Sequence, residues 1–165
     1  MPPAMQRRAS SPARLTDERS AAMLRDLKRA GLKMTPQRVA IVKIFAGDES
    51  HPTAQELFER LRGEFPTMSF ATVYNTLDAL VSAGLGGALR LGGAARFDPN
   101  TSAHHHAVCD RCGAVHDVPA ETLAPSSATV RRLRKSAGGF SVRAVERLYR
   151  GLCAKCAAGR KERQD

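Results

Sequence analysis

Apolar positions in the first hundred residues recur at helical spacing in four short runs, each bounded by capping residues and glycines. The first runs from Thr16 to about Ala30 and sets Ala21, Leu24 and Leu27 on one stripe. Thr16 is its expected N-cap, Asp17 and Glu18 suit the first turn, and Gly31 ends it. Thr35-Pro36 opens a second helix through Val39, Ala40, Val42, Ile44 and Phe45, closed by Gly47-Asp48. Pro52-Thr53 opens a third through Ala54, Leu57, Phe58 and Leu61, ending near Gly63. Ser69 caps a fourth, with Val73, Leu77, Leu80 and Val81 on one face and Gly84 as its stop. Short helices joined by tight turns form a helix-turn-helix pattern.

The period then changes. Leu85–Leu91, Gly92-Gly93 and Ala94–Asp98 predict a hairpin, with Gly86 and Gly87 weakening its first strand. Helix-turn-helix plus hairpin is a winged helix. Beyond Pro99, Val108, Val115 and Val118 predict two strands around a C-x-x-C-G turn over residues 104–118. Residues 121–137 predict an Arg-rich helix, and 140–149 a strand built on Phe140, Val142, Ala144, Val145, Leu148 and Tyr149. The boundary between the two halves is expected near residue 98. Residues 1–15, rich in Pro, Ser, Ala and Arg, predict a disordered basic arm.

Charge sharpens this division. The net +10 of the 165-residue chain is uneven: +6 over residues 1–38, −4 over 39–130, +6 over 131–150 and +2 beyond. A basic front end before an acidic middle suggests a polyanion contact by the N-terminal part. No run approaches the roughly 18 apolar residues that span a bilayer, and the first residues lack the apolar stretch of a signal peptide. The expected location is therefore cytoplasmic, with no membrane partner.

The four cysteines form two pairs, Cys109-x-x-Cys112-Gly113 and Cys153-x-x-Cys156, separated by 40 residues. Each pair supplies two thiolates from one tight turn, and four thiolates fit tetrahedral zinc. Such an ion staples a domain too small to depend on its core alone. A thioredoxin-like redox pair is the rival reading, but that motif opens a helix after a buried strand, which Arg111 and Gly113 do not suggest.

Beside this knuckle lies a histidine tract. If residues 103–108 form a strand, His104 and His106 share one face and His105 takes the other. Two imidazoles on one face can share a metal, and Asp98 and Asp117 are candidate carboxylates in neighbouring strands. Such a mixed donor set tilts toward Mn, Fe or Zn. His51 would have to come from the N-terminal half, which spacing alone does not establish.

The fourth helix carries Ser69, Thr72, Tyr74, Asn75 and Thr76 but no Arg. Ser69, Thr72, Tyr74 and Asn75 can reach phosphates or base edges, whereas Lys33 and Arg38, with Lys28 and Arg29, are the expected source of phosphate attraction. Tyr74 could equally be a partly packed aromatic.

Six stretches together resemble the ferric uptake regulator (Fur) family of metal-dependent repressors. They are LKMTPQRVAIVKIF, HPTAQELFERL, PTMSFATVYNTLDALVSAGL, ARFDP, HHHAVCDRCGAVHDV and GLCAKC, in the family's order over roughly residues 20–157. The resemblance implies an α+β chain: a winged-helix DNA-binding domain over 16–97, then a small α/β dimerisation domain over 98–165 holding structural zinc on Cys109, Cys112, Cys153 and Cys156. It implies a homodimer on a double-stranded inverted-repeat operator, no small organic substrate and no enzyme activity. It also implies a regulatory site of His51, Asp98, His104, His106 and Asp117.

Aspartates at 98 and 117, where iron-uptake regulators usually carry Glu, are most similar to the peroxide-sensing (PerR) branch, as is MSFATVYNTL. That branch implies Fe(II) or Mn(II) and oxidation of a ligand by peroxide. Iron-uptake and zinc-uptake (Zur) regulators are the alternatives. The glycine-rich GLGGALRLGG wing and the long arm depart from the family pattern. A zinc deaminase would need H-x-E and P-C-x-x-C contexts, and neither occurs. A zinc-ribbon interaction module without DNA binding is the remaining rival.

Overall fold

The structure, a computed structural model, describes residues 12–120, 126–139 and 146–161. The chain divides into two units, Met1–Thr101 and Ser102–Asp165. The division lies after Thr101, so Asp98 closes the last strand of the first unit rather than opening the second.

The first unit holds four helices and a two-stranded hairpin: α1 (Pro12–Arg29), α2 (Pro36–Ala46), α3 (Ala54–Leu61), α4 (Phe70–Ser82), β1 (Gly87–Leu89) and β2 (Arg96–Asp98). Helix α1 begins earlier than its pattern suggests. Pro12 suits a first turn, and Ala13, Arg14 and Leu15 are good helix formers, so residues 12–15 are helical rather than part of an arm. Thr16 therefore sits inside the helix, its methyl packed against Gly47, not at the cap. The rest of the expected arm, residues 1–11, lies outside the described residues.

The other caps form where expected. Thr35 accepts from the Arg38 amide at 3.3 Å, and Ser69 from the Thr72 amide at 3.1 Å. At α3 the arrangement is reciprocal: Thr53 accepts from the Glu56 amide at 3.1 Å, and Glu56 accepts from the Thr53 amide at 2.7 Å. This capping box satisfies two of the helix's otherwise unpaired donors. The inward faces meet in one core of Leu27, Ile41, Val42, Phe45, Leu57, Leu61, Val73, Leu77 and Leu80, with Phe97 from β2. Each such side chain contributes about 1.5–3 kcal/mol by leaving water.

The hairpin is shorter than the sequence suggests, because its strands pair only over Gly87–Asp98, Ala88–Phe97 and Leu89–Arg96. Gly86 lies so close to β2 that a Cβ there would sit 2.9 Å from the Asp98 carbonyl oxygen. Only glycine allows that approach.

The second unit is a three-stranded sheet with β3 (His104–Cys109) between antiparallel β4 (Val115–Pro119) and parallel β5 (Leu148–Gly151), plus α5 (Ser127–Ser136) and α6 (Ala154–Lys161). Helix α5 starts at its Ser126 cap, inside the expected 121–137 span. Residues 121–125 and 140–145 of the expected helix and strand lie outside the described residues. Helix α6 has no counterpart in the sequence reading, because AKCAAGRK carries no apolar stripe. Among the described residues, this unit buries only Val108, Cys109 and Val115 as apolar side chains. So small a core needs a staple. No helix among the described residues is long and apolar enough to cross a membrane.

Candidate metal centres and the outward face of α4

The staple is at the end of the β4-β3-β5 sheet. Cys109 ends β3, Cys112 follows in a turn whose Gly113 has φ +71°, and Cys153 and Cys156 flank the start of α6. The turn is tied by amide bonds from Cys109 to Ala114 and from Gly113 to Cys109, both 2.9 Å. Across it, the Asp110 amide donates to Gly151 at 2.8 Å, and Arg150 pairs with Asp110 at 3.3 Å. One sulfur from each cysteine lies within 4.8 Å of the others. Cys112 and Cys153 are 3.7 Å apart at sulfur, too far for a disulfide. Zinc–sulfur bonds of about 2.3 Å in a tetrahedron require about 3.8 Å.

The thiols are already differentiated. The Cys153 amide, donating to the Cys109 sulfur at 3.3 Å, and then the Cys112 amide pull the Cys109 thiol down to about 6. Cys112 beside Cys156, together with burial, pushes the Cys156 thiol up to about 12. Several thiolates in so small a space repel one another, and a dication removes that conflict.

Nitrogen and carboxylate donors form two further groups, one in each unit. In the first unit, His51 and Asp98 are 1% and 3% exposed, with Nε2 and Oδ2 3.8 Å apart. The second oxygen of Asp98 accepts from the Asn100 amide at 2.7 Å. The antiparallel bridge between Thr53 and Arg96, with the Phe97 amide donating to the Pro52 carbonyl at 2.9 Å, runs these segments side by side. His51 has φ +54°, the sole non-glycine residue with positive φ among the described residues.

In the second unit, His104 and His106 bring their Nε2 atoms to 2.9 Å, with rings 4.4 Å apart at 70°. Asp117, opposite His106 in the sheet register, places Oδ1 3.7 Å from His104 Nε2. His104 Nδ1 lies 2.7 Å from the Ser102 carbonyl oxygen, which can only accept. Nδ1 therefore carries the proton, and the Nε2 lone pair is directed at His106. A carbonyl partner that fixes the tautomer is the usual second interaction of a metal-binding imidazole. His105 takes the other face: it is 2% exposed, its ring 6.3 Å from that of Tyr149. Strand alternation thus divides the tract as the sequence suggests.

Beyond this geometry, the sequence pattern of the ferric uptake regulator family matches residues 29–137. The chain belongs to the ferric uptake regulator family. It is 38% identical over 135 residues to the peroxide operon regulator of Bacillus subtilis (strain 168), covering 81% of this chain and 90% of that one. The structure of the Campylobacter jejuni peroxide stress regulator superposes with a TM-score of 0.59 at 32% identity, over 81% of this chain and 98% of that one. A zinc uptake regulator complexed with zinc and DNA superposes with a TM-score of 0.63 at 25% identity, over 88% and 97%.

In this Fur-family chain, α4 is the second helix of the helix-turn-helix, and its exposed positions are Phe70, Ala71, Tyr74, Asn75, Asp78 and Ser82. Tyr74 and Asn75 face outward. Tyr74 also packs edge-on against Phe97 at 6.5 Å, so it is both a partly packed aromatic and an exposed one. Ser69 and Thr72 are engaged in the cap, their hydroxyls 2.9 Å apart. Arg38 donates to the Lys33 carbonyl at 2.7 Å, which orders the turn before α2, while Lys33 itself is exposed. The sequence reading missed Phe70, which is 44% exposed at the start of α4. A large apolar residue at the first helical position looks like core until the turn before it is known.

Proposed function

We propose that this chain is a metal-dependent, DNA-binding transcriptional repressor that senses peroxide, with zinc as its structural ion and Fe(II) or Mn(II) as its regulatory one. The observation that carries this reading is the donor chemistry of the two thiol-free groups. His51 and Asp98 in the first unit complement His104, His106 and Asp117 in the second. Three imidazoles and two carboxylates suit Fe(II) or Mn(II), and the four thiolates of Cys109, Cys112, Cys153 and Cys156 suit zinc.

An ion that takes ligands from both units restrains their angle. In a homodimer, that angle sets the spacing of the two α4 helices over an inverted-repeat operator. The ion favours the DNA-competent state only through this difference in contacts. Aspartate at both carboxylate positions, with the 38% identity to the Bacillus subtilis regulator, supports the peroxide branch over the iron- and zinc-uptake branches.

When bound, Fe(II) would activate peroxide by one-electron transfer, and the two electrons of the net reaction come from the imidazole. The Nδ1 hydrogen bond of His104 orients its ring with Nε2 toward His106, and His51 is buried. In the net reaction one of these rings gains a single oxygen atom and peroxide leaves as water. An oxygenated imidazole is a poorer ligand, so the restraint on the two units is lost and DNA is released. The protein is consumed by the event, which makes it a regulator rather than an enzyme. Its partners are DNA and a second copy of itself, and it acts in the cytoplasm.

The deciding experiment is intact-mass analysis of Fe(II)-loaded protein after a peroxide pulse, with peptide mapping. One oxygen added at His51 or His104, together with loss of inverted-repeat DNA binding, is expected. Unmodified protein would return the chain to the iron- or zinc-uptake branches.

A further inference from the structure

We propose that Arg96 is a positioning residue that holds His51 in its metal-binding pose. This rests on the regulatory-site reading above and adds to it a residue that touches no metal. The starting point is a local conflict. His51 has φ +54° and is followed by Pro52. The left-handed region is unfavourable for a residue with a Cβ, and a following proline narrows the choice of backbone conformation further. Histidine tolerates positive φ better than most residues with a Cβ, but with proline next to it the conformation still needs support from contacts elsewhere in the chain.

Arg96 supplies the most direct contact. Its Nη1 donates to the His51 carbonyl at 2.9 Å, across 45 residues of chain. The same nitrogen lies 3.4 Å from Glu56 Oε2, the carboxylate oxygen that accepts from the Thr53 amide at 2.7 Å. The guanidinium is thus anchored on the α3 capping box while it holds the peptide between His51 and Pro52. Arg96 also pairs with Thr53 by backbone, and it lies two residues before Asp98 on β2. One side chain therefore connects the capping box, the strained histidine and the strand that carries the carboxylate. Holding the carbonyl of His51 restrains the backbone that carries its side chain, whose Nε2 lies 3.8 Å from Asp98. Nη1 suits this double engagement because it carries two N–H donors in the guanidinium plane.

The test uses the full-length, zinc-containing protein and Mn(II) as the probe, with free Mn(II) followed by electron paramagnetic resonance. Arg96→Met keeps the stem and removes the donors; Arg96→Lys keeps a cationic donor group but on a single nitrogen without the planar guanidinium; His51→Ala is the reference for loss of a ligand. Arg96→Met is expected to weaken Mn(II) binding on the order of 10-fold or more, the usual effect of losing an outer partner of a ligand. Arg96→Lys is expected to recover part of it, with the Mn(II)-free melting temperature and zinc content of both variants close to the parent. The inference is overturned if Arg96→Met binds Mn(II) like the parent while His51→Ala does not. It is also overturned if the loss in Arg96→Met tracks a fall in Mn(II)-free melting temperature that Arg96→Lys shares, since Arg96 would then be only structural. If His51→Ala itself binds Mn(II) normally, the regulatory-site reading fails, and this inference with it.

Discussion

His104 and His106 converge on one another, Nε2 to Nε2 at 2.9 Å, while His105 between them turns its ring toward Tyr149 on the opposite face. The convergence follows from the two-residue period of β3, and the Ser102 carbonyl completes it by fixing the His104 tautomer. Asp117 approaches the pair from β4 with a short carboxylate arm, 3.7 Å from His104 Nε2.

Lengthening that arm tests its role. Asp117→Glu adds one methylene, which keeps a carboxylate near the imidazoles but changes its reach. Metal-dependent DNA binding is expected to persist, while the peroxide concentration needed for release rises. Fluorescence anisotropy on an inverted-repeat duplex during peroxide titration measures both. Equal peroxide sensitivity in the two proteins would count against the peroxide-sensing branch.

The cysteine cluster carries a larger expectation, because the second unit has so little else to hold it. Cys112→Ser leaves three thiols around a position that needs four. The variant is expected to lose zinc, melt the Ser102–Asp165 unit and break up the proposed homodimer. Structural zinc is worth about 10–16 kcal/mol in small metal-folded domains, more than Val108, Cys109 and Val115, the apolar side chains buried among this unit's described residues, supply at about 1.5–3 kcal/mol each. Zinc content and size-exclusion chromatography check it; a dimeric, zinc-bound variant would sink the structural role.

How much of this was legible before any coordinates follows from which signals are local. The caps at Thr35 and Ser69, the four-helix periodicity and the division of the histidine tract depend on neighbours within one turn or one strand, so the sequence carries them. The start of α1 was hidden because Pro12-Ala13-Arg14-Leu15 has the composition of an arm as much as of a helix. Helix α6 was hidden because it buries no apolar stripe; Cys153 just before it and Cys156 within it join the sulfur cluster instead. The left-handed His51 and its Arg96 contact were invisible for a different reason. They join positions 45 residues apart and satisfy no local pattern.

On α4 and in the turn before α2 the exposed and engaged residues should separate cleanly in DNA binding. Asn75→Ala, which removes an outward amide, is expected to cost about 1–3 kcal/mol at the cognate site and to relax sequence preference. Lys33→Gln is expected to weaken cognate and random duplexes alike and to lower the salt slope by about one. Ser69→Ala should act differently, lowering helix stability by about 1 kcal/mol through the cap rather than changing specificity. Binding isotherms at several salt concentrations distinguish the three.

Asp48 offers a pH test inside the first unit. Burial alone would raise its carboxyl, but bonds from the Ser50 hydroxyl and amide, with the Arg60 guanidinium, outweigh it and hold the group below its ordinary value of 3.8. A carboxyl depressed on folding stabilises the protein fully above its unfolded value, and that stabilisation is lost as pH falls through the folded one. Arg60 is half exposed, so solvent screens the pair, and the contribution is about 0.5 kcal/mol rather than that of a buried ion pair. Asp48→Asn is accordingly expected to lower the melting temperature of the first unit by about 2–4 °C at neutral pH. The gap between parent and variant should close below pH 4, as the parent's carboxyl takes up its proton. Thermal unfolding followed by circular dichroism between pH 3 and 7 measures it, and a gap unchanged across that range would show that the charge on Asp48 contributes nothing.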